Sequence, residues 1–170
     1  MKKIIVSATL IMLCLAANAQ KKKVKVAESN IGGITCLVEN EINMLSKDTT
    51  TSVILSFKNA KYSYISDWSS IVFLMEYHKY DLKDFVDDLK QAEKEMDIKQ
   101  SIEWERDLYT LHIYDFNKGK LYIQEPKKRS AGYTTINKKQ VGKLIEWLDK
   151  NAIIKDVKNG IQVRIKEALG

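Results

Sequence analysis

The side chains with chemistry to offer are few: two histidines, two cysteines, a row of alternating carboxylates and a set of aromatic residues. His78 stands in Tyr77-His-Lys-Tyr and His112 in Tyr109-Thr-Leu-His-Ile-Tyr. A transition-metal site needs two or three His or Cys ligands at spacings such as HExxH or CxxC, and neither pattern occurs. GxSxG, P-loop and GxGxxG motifs are also missing, so the residues imply no catalytic group, no metal and no cofactor. Cys36 lies among Ile34, Leu37 and Val38 and reads as a buried, inert thiol. Glu103, Glu105 and Asp107 alternate along an expected strand. Their carboxylates would project from one face about 7 Å apart, too far to share an ion, so they read as a solvated face.

The aromatic residues offer more. With Leu111, Ile113, Leu121 and Ile123 turned toward a helix, His112, Tyr114, Phe116 and Tyr122 fall on the opposite face of the same sheet. Lys118, Lys120 and the Lys127-Lys128-Arg129 loop flank them. Such an aromatic-basic surface could stack on bases or sugars. The expectation is that the face packs against the first half of the chain; an exposed stacking platform is the alternative.

Elements must position these residues, and the first stretch to consider is not part of the fold. Met1 to Gln20 reads MKKIIVSATLIMLCLAANAQ: Lys2 and Lys3, an apolar run, then Ala17-Asn18-Ala19. That is the pattern of a secretory signal peptide spanning 1–19, with an apolar part well short of the roughly 20 residues a spanning helix needs. Cys14 follows the bulky Leu13 within the run, which argues against lipidation. Removing Lys2 and Lys3 leaves 26 basic residues against 22 acidic, a net charge of +4. The surplus gathers in a basic arm, Gln20 to Asn30, expected to be disordered, and around Lys127. The chain is expected to be exported to the periplasm or medium, with one cysteine left and no internal disulfide.

Periodicity divides the remainder into two similar units, 31–97 and 98–152, followed by a closing segment, 153–170. Extended stretches are expected over Ile34 to Leu45, Ser52 to Lys58, Lys61 to Ile65 and Ile71 to Met75. A helix follows, from an N-cap at Asp81 to about Met96, with Leu82, Phe85, Val86 and Leu89 as its apolar stripe. The second unit repeats the order: strands over Ser101 to Arg106, Leu108 to Phe116, Lys120 to Gln124 and Tyr133 to Ile136. Its helix is capped by Asn137 with Gln140 three residues on, and carries Val141, Leu144, Ile145 and Leu148. FKNAKYSY at 57–64 and FNKGKLYI at 116–123 look like one phrase written twice, and a single offset of 59 carries the match into the helices. The first helix is acidic and the second basic, an arrangement that would suit self-association between copies. Residues 153–157 and 161–165 around Asn159-Gly160 read as a hairpin, with a terminal helix as the alternative.

The fold expected is therefore α+β, two tandem ββββα repeats in one body. In element order alone it resembles the duplicated domains of the whirly and purine-rich-element-binding (PUR) proteins, which bind single-stranded nucleic acid on their sheets. The reading of function is a non-catalytic exported protein that binds an unidentified protein or glycan partner. Nucleic-acid binding through the aromatic-basic face and an enzyme of the cell envelope are the alternatives, and a homo-oligomer is compatible with each.

Overall fold

The computed structural model describes residues 21–60, 67–97, 100–117, 119–126, 132–157 and 160–165, with side chains through Ala152. Strands β1 (Lys21–Ile31), β2 (Ile34–Asn43), β3 (Thr49–Lys58) and β4 (Trp68–Leu74) form an antiparallel sheet in that order and lead into helix α1 (Lys79–Glu95). Strands β5 (Ile102–Glu105), β6 (Thr110–Ile113), β7 (Lys120–Gln124) and β8 (Tyr133–Asn137) form a second antiparallel sheet and lead into α2 (Lys138–Asn151). The chain is α+β with two ββββα units. An antiparallel hairpin, β9 (Ala152–Val157) and β10 (Gly160–Ile165), closes it.

The expected disordered arm is instead β1, an edge strand of 11 residues. Its partner is set by Gly32-Gly33, a two-residue connection with φ of +62° and +87°, the backbone that a tight hairpin requires and that Gly adopts without strain. Its lysines do not stay free. Lys21 pairs with Glu41 at 2.7 Å and Lys23 with Glu39 at 2.8 Å, so the neighbouring strand neutralises much of the basic run. The strand expected over Lys61 to Ile65 lies outside the described residues. Helix α1 begins at Lys79, ahead of the expected cap at Asp81, with His78 at its N-cap and no side-chain cap bond. Asp81 lies inside its first turn, where a carboxylate faces the positive end of the helix dipole. Helix α2 starts as expected, with the reciprocal Asn137–Gln140 capping box.

Alternation sorts each strand into two faces. Val53, Leu55 and Phe57 of β3, Ile34, Cys36 and Val38 of β2, and Ile71 and Phe73 of β4 are buried, as are Leu111, Ile113, Leu121, Ile123 and Ile136 of the second sheet. These side chains join Leu82, Phe85 and Leu89 of α1 and Val141, Leu144 and Leu148 of α2 in one core. Ile54 and Val72, apolar residues between the buried positions of β3 and β4, would suit a first sheet buried on its opposite face as well. That face is not buried: Val72 is exposed and Ile54 only half-buried, so each sheet has one covered face.

The helices are not each confined to their own sheet. Phe85 of α1 packs between Phe73 of β4, 5.5 Å away, and Tyr109 at the entry to β6, met edge-on at 4.8 Å. One turn on, the buried carboxylate of Asp88 receives Arg106 Nε and one Arg106 terminal nitrogen at 3.0 Å each, and Tyr109 O–H at 2.9 Å. Gln91 Oε1 accepts from Trp104 Nε1 at 3.3 Å. Helix α2 lies against α1 and β1 as well as β7 and β8. Lys90–Asp149 and Lys138–Asp97 ion pairs tie the two helical arms, so the opposite charges read as a route to self-association meet within one chain.

Candidate functional site

Element order shows how the two units correspond: β2 and β3 answer β6 and β7, β4 answers β8, and α1 answers α2. Phe57 lies at the end of β3, ahead of the β3–β4 connection, whereas Phe116 lies in the β6–β7 connection, so the offset of 59 does not carry one strand order onto the other; in the helices it brings Phe85 to Leu144. The repeated phrase is therefore not a structural repeat. Phe57 is a core residue of β3 with no exposure, whereas Phe116 sits in the β6–β7 turn and is 77% exposed.

That turn begins the candidate site. With Leu111, Ile113, Leu121 and Ile123 buried, the outward side of the second sheet carries Glu103 and Glu105 of β5, His112 of β6, Lys120, Tyr122 and Gln124 of β7, and Tyr133 and Thr135 of β8. Tyr114 and Phe116 follow on from β6. The rings touch in series. His112 lies flat on Tyr114 with centroids 3.8 Å apart and planes at 20°, and Tyr114 meets Phe116 at 5.0 Å. Tyr122 stands edge-on to Tyr114 at 4.8 Å and reaches Tyr133 at 5.6 Å. Asn117 Nδ2 donates to the Tyr122 hydroxyl oxygen and holds the turn against the sheet. Partial burial among these rings, and secondarily the Glu103 carboxylate, push the Tyr114 phenol above its ordinary value, so it stays a neutral hydroxyl.

This face was expected to pack against the first unit, and it does not. The sheets meet through strand ends and an edge, not face to face. Ser70 N–H, on the free edge of β4, donates to Glu125 Oε1 at 2.9 Å, and Tyr133 N–H donates to Asn59 Oδ1 at 3.4 Å. Gly132 passes so near that a Cβ there would stand 2.0 Å from Ser69 Oγ. A seam formed this way leaves both outward faces uncovered by the opposite sheet. Along it opens a cleft of about 270 Å³ lined by Ser70, Ile71, Val72, Leu108, Glu125 and Pro126.

Of the residues singled out in the sequence, His112, Tyr114, Phe116, Lys120 and Tyr122 share this surface, while Lys118, Lys127, Lys128 and Arg129 lie outside the described residues. Tyr133 and Glu103 join it unanticipated. Glu103 is the cross-strand partner of His112, and Tyr133 that of Gln124. The clue in the sequence was the period-two alternation of β5 and β8, usable only once their register is known. Two further clefts, one along Asp48–Thr51 with Met75 and Glu76 and one between Ser29–Ile31 and Lys143, Glu146, Trp147 and Lys150, contain no histidine. His78 is engaged in the fold, its Nδ1 accepting from Leu74 N–H at 3.4 Å. Cys36 is buried and desolvation pushes its thiol up to about 12, well out of the range of a nucleophile. Among the described residues no cluster of three or more His, Cys, Asp or Glu could hold a metal, and no helix is long and apolar enough to cross a membrane.

No family model matches the chain, and no curated protein or solved structure matches it either.

Proposed function

We propose that the chain is an exported, non-catalytic binding protein that takes a saccharide on the outward face of its second sheet. One observation carries the reading: a contiguous group of five aromatic rings, Phe116, Tyr114, Tyr122 and Tyr133 in a row with His112 stacked on Tyr114, lies on a face that the opposite sheet leaves open. A buried aromatic cluster is ordinary core; one left at the surface by a fold with a complete core elsewhere is a contact surface. Phenol, amide and hydroxyl groups stand among the rings at Tyr122, Gln124 and Thr135, which suits a ligand that is flat, apolar on its faces and hydroxylated at its rim. Glu103 and Glu105 stand on the same outward side and offer carboxylate acceptors of the kind that sugar hydroxyls bond. Export is supported by the order of lysines, apolar run and Ala17-Asn18-Ala19 at the start of the chain.

The test is cosedimentation of the purified protein with insoluble cellulose, xylan and chitin, beside titration with a single-stranded oligonucleotide. Retention by a polysaccharide is expected, weakened about tenfold by Phe116→Ala, a loss of about 1.4 kcal/mol, with no change in melting temperature. Binding only to the oligonucleotide, with a steep salt dependence, would replace the saccharide reading. Retention unaffected by Phe116→Ala and Tyr122→Ala together would remove the face from consideration. For export, the mass of the protein recovered from the cell envelope or medium should begin at Gln20; full-length chain confined to the cytoplasm would refute it.

A further inference from the structure

Resting on that reading, we infer that the site extends from the aromatic face into the seam cleft, and that its ligand is an oligomer of 2-acetamido sugars. The cleft adjoins the end of the platform along β7. Thr110, Gln124 and Tyr133 form the outermost described row of the second sheet, and Glu125 and Pro126 follow Gln124 directly. Ser70 and Val72, from the outward side of β4, form the opposite wall. A chain lying along Phe116, Tyr114, Tyr122 and Tyr133 would be directed toward this opening, so a single sugar ring would use only part of the surface.

The cleft lining states what its end group should be. Val72, Leu108 and Pro126 supply an apolar wall, a partner for a methyl group rather than for a ring hydroxyl. Glu125 adds an acceptor whose position is fixed by Ser70 N–H on Oε1. An amide N–H offered to a carboxylate makes a charge-assisted bond. An acetamido substituent carries both parts, a methyl for the apolar wall and an N–H for Glu125, whereas a plain hydroxyl would leave the apolar wall without a partner. The aromatic rings bind the sugar faces and the cleft selects the substituent.

The experiment is calorimetric titration of the full chain with N-acetylglucosamine, with its oligomers and with glucose oligomers of equal length, repeated for Glu125→Gln, Val72→Lys and Phe116→Ala. Gln keeps an acceptor for Ser70 N–H, and Val72 is already exposed, so both cleft variants should fold; their melting curves verify it. The expected result is at least tenfold preference for the acetamido oligomer, reduced to near parity by Glu125→Gln and Val72→Lys. Phe116→Ala should weaken both ligands alike. Equal affinity of the two oligomers in the wild-type protein would overturn the acetamido inference while leaving the platform standing. Binding of neither oligomer would overturn the platform and the inference together. Affinity for the monosaccharide equal to that for the oligomer would overturn the extended site.

Discussion

Phe57 and Phe116 open phrases that look alike, yet one is wholly buried in β3 and the other is 77% exposed in a turn. The difference teaches what a repeated phrase in a β-rich chain means. A strand with a buried face repeats every two residues, and a hairpin adds Asn, Gly and Lys at its turn, so unrelated hairpins converge on similar words. Correspondence has to be taken from element order, and by that measure the two phrases open on different connections, β3–β4 and β6–β7. The first unit's strands are also longer. The extra length includes β1, which the second unit answers with a β5 of only four residues.

The largest expected effect separates the two phenylalanines directly. Phe57→Ala should cost about 3–5 kcal/mol of unfolding free energy, as truncations in a packed core do, measured by chemical denaturation. Next comes Cys36, a thiol buried in β2 where the corresponding strand β6 buries Leu111 and Ile113. Cys36 prefers its neutral form in the folded state, with a value raised from 9.0 to about 12. The native state therefore holds that proton longer than the unfolded chain, and stability is lost as pH rises from about 9 toward 12. Denaturation across that window should show the loss, and Cys36→Ala should flatten the slope even though it lowers stability at neutral pH. Equal slopes in both proteins would assign the alkaline loss to other groups, such as Tyr109, which burial and the Asp88 hydrogen bond also hold protonated.

Asp88→Ala tests whether the first helix holds the second sheet. It leaves the Tyr109 hydroxyl buried without its partner, while the half-exposed Arg106 can turn to water, so a loss of about 2–3 kcal/mol is expected. A change under about 0.5 kcal/mol would mean that the aromatic packing of Phe85 on Tyr109 suffices. Gly132→Ala would force Ser69 or the backbone to move and should cost about 1–3 kcal/mol; stability equal to wild type would show the seam to be loose. The smallest effect completes the comparison: Phe116→Ala should alter stability by less than about 0.5 kcal/mol, as surface changes do, while impairing ligand binding.

Local patterns were legible where one element answers for itself. The stripe Leu82, Phe85, Val86, Leu89 and the Asn137–Gln140 box specify helices from within a few neighbouring residues, and both helices stand there. The alternation of Leu111, Ile113, Leu121 and Ile123 also placed His112, Tyr114 and Tyr122 correctly on the outward side. Strand β1 was missed because the lysines that crowd its start look like a solvated tail. Their partners, Glu39 and Glu41, come from the next strand, and the local signal for the pairing was Gly32-Gly33. The fate of the aromatic face could not be read at all, because alternation says which side a ring points to and not what stands opposite.

Residues near one another in the chain were enough to specify the order of the second ββββα unit, the helix stripes, the inward and outward faces of the second sheet and the absence of familiar catalytic motifs, because each depends on one turn or one hairpin. Contacts between distant segments were needed to bring α1 across to Asp88's partners on the second sheet, to meet opposite helix charges within the chain, and to join the sheets through Asn59, Ser70, Glu125 and Gly132. Those contacts link residues up to 74 positions apart, and their geometry follows from how two half-covered sheets share one core. The same packing leaves the aromatic rings at the surface.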